Sequence, residues 1–133
     1  MNTSFVCLTI AALLPYVAKI PVAWAMFKTP GGYDNRHGRI QQETLKGWGH
    51  RALAAHRNAF ESFPIFAAAV LMAQRPEVLA AGWTSWIDVL AVTFVSTRVL
   101  YNIFYLADWH LLRSTVWGVG MLATLALLVI GCQ

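Results

Sequence analysis

Four stretches of this 133-residue chain are long enough to cross the hydrocarbon core of a bilayer: Thr3 to Phe27, Gly49 to Gln74, Trp83 to Ala107 and Leu112 to Gly131. Such a crossing takes about 20 predominantly apolar residues. With 58% hydrophobic and 12% charged residues and a mean hydropathy of +0.54, the chain falls far short of the roughly 25% charge that a soluble domain carries. The sequence therefore predicts an all-α integral membrane protein, a four-transmembrane-helix bundle forming a single domain over residues 1–133. A secretory signal is the competing reading of Phe5 to Leu14. No basic residue precedes that core, and the apolar run continues past Pro15 to Phe27, so the segment reads as an uncleaved helix.

Charge fixes the expected orientation. Lys28, Arg36, Arg39, Lys46 and Arg51 cluster in or beside the polar loop Lys28 to Trp48, whereas the loop from Arg75 to Gly82 holds one basic residue. By the positive-inside rule the first loop and the turn at Asp108 to Arg113 face the cytoplasm, with both termini outside and the chain multi-pass in the inner membrane. The same rule accounts for the net charge of +4, so nucleic acid is not an expected partner. Gly31-Gly32 and Asp34-Asn35 are turn chemistry; without a preceding strand or a following Gly-Lys-Ser/Thr they do not form a phosphate loop. Pro15 and Pro21 predict a kinked first helix whose freed carbonyls neighbours satisfy. Lys19, between them, is expected to snorkel toward the Lys28 end, the alternative being that it faces the bundle.

Polar residues at membrane depth are the chemical signal, because each charge there costs roughly 2.5 to 3.5 kcal/mol on insertion scales. In the second segment His50, Arg57, Glu61 and Ala68 share one helical face with Asn58 beside it, and Arg57 and Glu61, one turn apart, are placed to pair. In the third, Arg98, Tyr101, Asn102, Tyr105 and Trp109 form a second stripe, expected to point into the bundle or toward another subunit. Tyr105 and Trp109 alone would be an interfacial aromatic belt; Asp88 has no evident partner. The fourth opens with Arg113 and Ser114, and Gly118, Gly120 and Ala123 offer close-contact surfaces. A cation at a helix start opposes the macrodipole. Either an anionic ligand resolves that conflict, with the free N–H groups of the first turn converging on it, or Arg113 is an interfacial positive-inside residue. Together these residues predict one basic pocket at the cytoplasmic ends, partly balanced by Glu61 and suited to a small anionic ligand. The plainer alternative is a pair of register-fixing ion pairs, Arg57 with Glu61 and Arg98 with Asp108. His50 and His56 have no nucleophile partner at defined spacing, and no metal-ligand pattern is present. Cys7 and Cys132 read as cysteines on apolar helix faces; a disulfide is the alternative, since the topology puts both on the outer side.

The run His56-Arg57-Asn58-Ala59-Phe60-Glu61-Ser62-Phe63-Pro64 resembles the second-helix signature of the MAPEG superfamily (membrane-associated proteins in eicosanoid and glutathione metabolism). The resemblance covers essentially the whole chain, including Arg98 with Tyr101 and Tyr105, and Arg113-Ser114 opening the last helix. The Gly-Tyr-Asp-Asn-Arg loop and the Arg-Val-Leu-Tyr run look like the bacterial branch. The resemblance implies a homotrimer with glutathione bound between subunits, open to the cytoplasm. It also implies that Arg57, Asn58 and Glu61 hold the peptide and its amino group, while Arg98, Tyr101 and Tyr105, with Asn102 beside them, meet its carboxylates and backbone. Arg113, with Ser114 beside it, matches the arginine that stabilises the thiolate, and a lipophilic substrate would arrive from the membrane lipid. This chain departs from the pattern at Ala54 and Ala55, where an arginine is expected one turn before Arg57, at Asn102 in place of a smaller polar residue, and at Trp117 in place of tyrosine.

Three readings follow. The first is a glutathione-dependent transferase or peroxidase for lipophilic electrophiles. The second, motivated by Ala54 and Asn102, is a catalytically silent lipid-binding or scaffold protein of the same fold. The third is a small multidrug transporter, which would use an unpaired membrane carboxylate where this chain has Arg57 one turn from Glu61.

Overall fold

A computed structural model describes residues 2–133, and among them every regular element is helical. Four helices are long: α1 (Thr3–Phe27), α3 (Trp48–Ala73), α5 (Thr84–Leu106) and α6 (His110–Gly131). Two short ones, α2 (Gly38–Glu43) and α4 (Pro76–Ala80), lie in the first and second connections, where the sequence predicted only loop. Helices α3 and α5 each pack against the other three long helices, while α1 and α6 stand apart at opposite corners.

Three helices, α1, α5 and α6, are long and apolar enough to cross a membrane by composition. Helix α3 is as long, but Arg51, Arg57 and Glu61 dilute its hydropathy. Two apolar clusters hold the long helices together. One joins Cys7 and Ala11 of α1 to Phe66, Ala69 and Val70 of α3, Ile87, Ala91 and Phe94 of α5, and Leu127 and Ile130 of α6. The other, nearer the first loop, packs Val22, Ala25 and Met26 against Leu45, Ala52 and Leu53. The many alanines let backbones approach closely, the device by which helices associate where no hydrophobic force separates them from lipid. Cys7 is buried in the first cluster and Cys132 is exposed beyond α6, both as free thiols.

Helix α1 continues unbroken through Pro15 and Pro21. Its start is closed by Asn2, whose Oδ1 accepts from the N–H groups of Ser4 and Phe5 at 3.1 and 3.3 Å. Asp88 joins that cap from α5, accepting from the Ser4 N–H at 3.2 Å. The carboxylate that lacked a partner in the sequence thus sits at the positive end of a helix dipole. In the middle of α1, His56 Nδ1 lies 2.8 Å from the Pro15 carbonyl oxygen. A carbonyl can only accept, so Nδ1 carries the proton there. The bond goes to the proline's own carbonyl rather than to one of those the prolines free.

The first loop is organised by Gln41 of α2. Its Nε2 donates to Thr29 Oγ1 and the Gly32 carbonyl, both at 2.7 Å, and its Oε1 accepts from the Asp34 N–H at 2.9 Å. Gly31 and Gly32 supply the positive φ angles, 91° and 75°, that this turn requires. Asp34 then accepts from the N–H groups of Arg36 and His37 at 2.8 and 2.9 Å. These bonds, with the His37 N–H the largest contributor, hold its carboxyl below the ordinary carboxylate value; partial burial opposes them, and the Arg36 N–H and the His37 ring add to the lowering. A folded-state pKa depressed in this way stabilises the loop above the ordinary carboxylate range, and the contribution is lost as pH falls through the depressed value. Hydrogen exchange at the Arg36 and His37 amides is therefore expected to quicken at acid pH in excess of the intrinsic trend. Asp34→Asn keeps an acceptor oxygen without a titration and should remove that excess; an unchanged acid response in Asp34→Asn would refute the assignment.

Candidate functional site

The α5–α6 turn sets the geometry of the polar end. Asp108 adopts φ 64°, its N–H bonds to the Tyr105 carbonyl at 3.3 Å, and the Trp109 N–H reaches back to the Phe104 carbonyl at 2.9 Å. This is a Schellman closure with a left-handed residue at the turn, an αL position that Asp tolerates better than most side chains. Its customary apolar contact is the Phe104–Trp109 pair, with ring centroids 5.6 Å apart. Because the turn is so tight, α6 starts at His110, two residues earlier than the sequence suggested. The Arg113 N–H is then already bonded to the Trp109 carbonyl at 2.9 Å, and Arg113 sits a full turn inside the helix rather than among its free N–H groups.

From that position the Arg113 guanidinium lies over the Tyr105 ring, 4.3 Å from its centroid. Tyr101, Tyr105, Arg113, Ser114 and Trp117 line a hollow of about 250 Å³ between α5 and α6. Ser114 Oγ donates to the His110 carbonyl at 3.0 Å, so the hydroxyl keeps only acceptor capacity toward a ligand. Arg113 has no carboxylate within ion-pair distance among the described residues.

Arg98 is placed differently. It is 3% exposed and flanked by the rings of Phe94 and Tyr101, at 5.5 and 5.2 Å. Its Nη1 donates to Asn58 Oδ1 at 3.2 Å, and its Nη2 donates across the helix interface to the Val116 and Trp117 carbonyls at 3.4 and 3.2 Å. Its Nε, buried, has no partner among the described residues. Arg98 thus holds Asn58 of α3 against α6 instead of opening to the hollow. Asn102 donates to the Arg98 carbonyl at 2.8 Å and braces the same helix face.

The predicted ion pairs are replaced by others. Arg57 pairs with Glu43 of α2 and not with Glu61, because the Gln41-centred loop lays α2 beside α3. Glu61 stays exposed. Asp108 pairs with Arg51 at 3.6 Å and not with Arg98; the helix from Arg98 to its end at Leu106 already rises about 12 Å, too far for contact. Arg57 and Glu61 line a second hollow of about 400 Å³ with Arg39, Gln42, Leu53, His56 and Phe60. Within one chain, then, the predicted basic pocket is divided: Arg57 and Glu61 on one flank of α3, and Tyr101, Tyr105, Arg113 and Ser114 between α5 and α6. Asn58, tied to Arg98, lies between the two. Glu43 and Gln41 are the residues that sequence reasoning passed over; they sit in α2, a helix of 6 residues that is too short to show a period, and only a polar connection facing a charged helix stripe hints at them.

An all-helical chain with three membrane-length apolar helices and arginines set among tyrosines at one end defines an integral membrane protein. The chain belongs to the MAPEG family, whose model matches residues 3–132. That family includes glutathione-dependent transferases and peroxidases as well as other members. Neither a curated protein nor a solved structure gives a significant match.

Proposed function

We propose that the protein is a glutathione-dependent transferase or peroxidase acting on lipophilic electrophiles. It would work as a homotrimer of four-span subunits in the inner membrane, with the first loop in the cytoplasm and sites between subunits. The observation that carries this reading is the Arg113 guanidinium held over Tyr105 in a hollow with Tyr101 and Ser114. A cation beside a thiol favours the thiolate, and the thiolate is the nucleophile. Its sulfur would form the new bond to the electrophilic carbon while the leaving group departs with the bonding pair. With a hydroperoxide the sulfur would take the terminal oxygen, and a second thiol would complete the reduction.

The division of the polar residues supports a shared site. Glutathione carries two carboxylates and an ammonium group, and the Tyr101–Arg113 hollow, with one cation and no carboxylate in its lining, leaves them without charged partners once Arg113 faces the thiol. Arg57 and Glu61 of one subunit, facing the Tyr101–Arg113 hollow of another, would supply the remaining contacts. Arg98 acts in this scheme as a positioning residue through Asn58. The alternative of a lipid-binding protein without turnover rests on Ala54, which offers no polar contact one turn before Arg57.

Calorimetry on the detergent-purified protein tests the reading. Glutathione is expected to bind with micromolar to millimolar affinity, and Arg57→Ala to weaken it at least about tenfold, a charge-assisted contact being worth about 1.5 to 3 kcal/mol. No binding heat with the folded wild type would favour the lipid-binding alternative.

A further inference from the structure

A basic hollow adjoins the Arg57–Glu61 hollow on the α1 side. Beneath the first loop, Tyr16 and Lys19 of α1 and His56 and Phe60 of α3 face Arg36, His37 and Arg39 across a space of about 640 Å³. Three of its cations, Lys19, Arg36 and Arg39, have no carboxylate within ion-pair distance among the described residues. His37 is engaged by Asp34 at 3.4 Å, and no carboxylate lines the hollow. The positive-inside rule explains arginines in a cytoplasmic loop, but it does not explain a lysine eight residues before the end of the α1 apolar run converging on them. Like charges gathered in one recess repel unless an anion joins them.

The walls say what kind of anion. Leu13, Tyr16, Val17, Ile20 and Trp24 form a continuous exposed apolar strip along α1 that leads to the hollow. Phe60 meets Tyr16 edge-on at 5.9 Å at the same place. A basic recess at the head of an apolar strip matches a molecule with a charged head and an acyl tail.

We infer that this hollow binds the phosphodiester head group of an anionic phospholipid, with Lys19, Arg36 and Arg39 on the phosphate and an acyl chain lying along the Leu13–Tyr16–Val17 strip. Two guanidinium forks suit phosphate oxygens, and the lysine adds a compact charge from below. A zwitterionic lipid is disfavoured, since its ammonium group would enter the same cluster of cations. This site uses none of the residues of the Tyr101–Arg113 hollow; it borders the Arg57–Glu61 hollow through Arg39, Gln42, His56 and Phe60, while Lys19 and Arg36 belong to it alone.

The test is thermal unfolding of the full chain in neutral detergent, titrated with short-chain phosphatidylglycerol, phosphatidylcholine of the same chain length, or inorganic phosphate. Phosphatidylglycerol is expected to raise Tm saturably and phosphatidylcholine to do so much less. Lys19→Gln with Arg39→Gln should weaken the apparent phosphatidylglycerol affinity about 25-fold, from about fivefold per basic residue. Should that double variant fail to fold, the exposed Arg36→Gln alone, expected to weaken it about fivefold, carries the comparison. Equal stabilisation by both lipids, or unchanged affinity in a folded variant, would overturn the site. Stabilisation by inorganic phosphate matching that of phosphatidylglycerol would overturn the lipid as its occupant.

Discussion

Arg113→Ala is expected to lower the rate of conjugation at pH 7 by about ten- to thirtyfold and to shift its pH dependence upward. A free thiol with a pKa near 8.5 is only about 3% ionised at pH 7, so complete ionisation gains about thirtyfold. The lower basicity of a stabilised thiolate returns part of that gain, which sets the bottom of the range. Without the cation the rate should climb with pH and approach the wild-type value above about pH 9, where the thiol ionises unaided. Arg113→Lys should recover part of the effect, since it keeps a charge but loses the guanidinium that lies over the Tyr105 ring at 4.3 Å. The ultraviolet absorbance of thiolate in the glutathione complex reads the same quantity without turnover. A flat comparison, with rate and pH profile alike in wild type and Arg113→Ala, would remove Arg113 from the chemistry.

The second large effect concerns a residue with no side chain. Gly120→Val is expected to destabilise the protein by about 4 kcal/mol or more in thermal or denaturant unfolding. A Cβ at this position would lie 2.5 Å from Thr97 Oγ1 and 2.7 Å from Arg98 Nη2. Neither neighbour has room to yield. Thr97 is bonded to the Phe94 carbonyl at 2.7 Å, and the Arg98 guanidinium is held by Asn58 and two α6 carbonyls. Overpacking costs about 1 to 3 kcal/mol, and dislodging a buried, hydrogen-bonded charge about 3 to 5. Gly118→Ala, two residues away with nothing within 4 Å of the added carbon, should be neutral or stabilising by up to about 1 kcal/mol through helix propensity. Equal unfolding of Gly120→Val and wild type would mean that the Arg98 bridge does not hold α5 to α6.

That contrast between two glycines separates what pattern determines from what packing determines. Hydropathy and helical period are properties of local sequence, and they sufficed for the helical class, for α1 to the residue, and for α3 and α5 to within one residue at each end. The residues that share a face were also legible: Arg57 with Glu61, and Arg98 with Tyr101 and Tyr105. The resemblance to the MAPEG family, stated from Arg57-Asn58 and Glu61, agrees with the family match over residues 3–132.

Partner choice was not legible, for a physical reason. Periodicity says which side chains lie on one stripe but not how far each helix is rotated against its neighbour. A rotation of one residue is about 100°, which exchanges a contact residue for an exposed one. So Gly118 and Gly120 look alike in sequence, yet only Gly120 receives the guanidinium of Arg98. Arg57 has Glu61 one turn away, yet a glutamate fourteen residues earlier reaches it, because Gln41 folds the first loop over α3. The start of α6 shifted by two residues because the Schellman turn depends on Asp108 accepting a left-handed conformation. The sequence by itself determined a helical membrane protein with arginines and tyrosines at helix-face spacing. Only the tertiary structure decided that Arg98 is a buried brace, that Arg113 lies over Tyr105, and that Lys19 meets the loop arginines beneath the first loop.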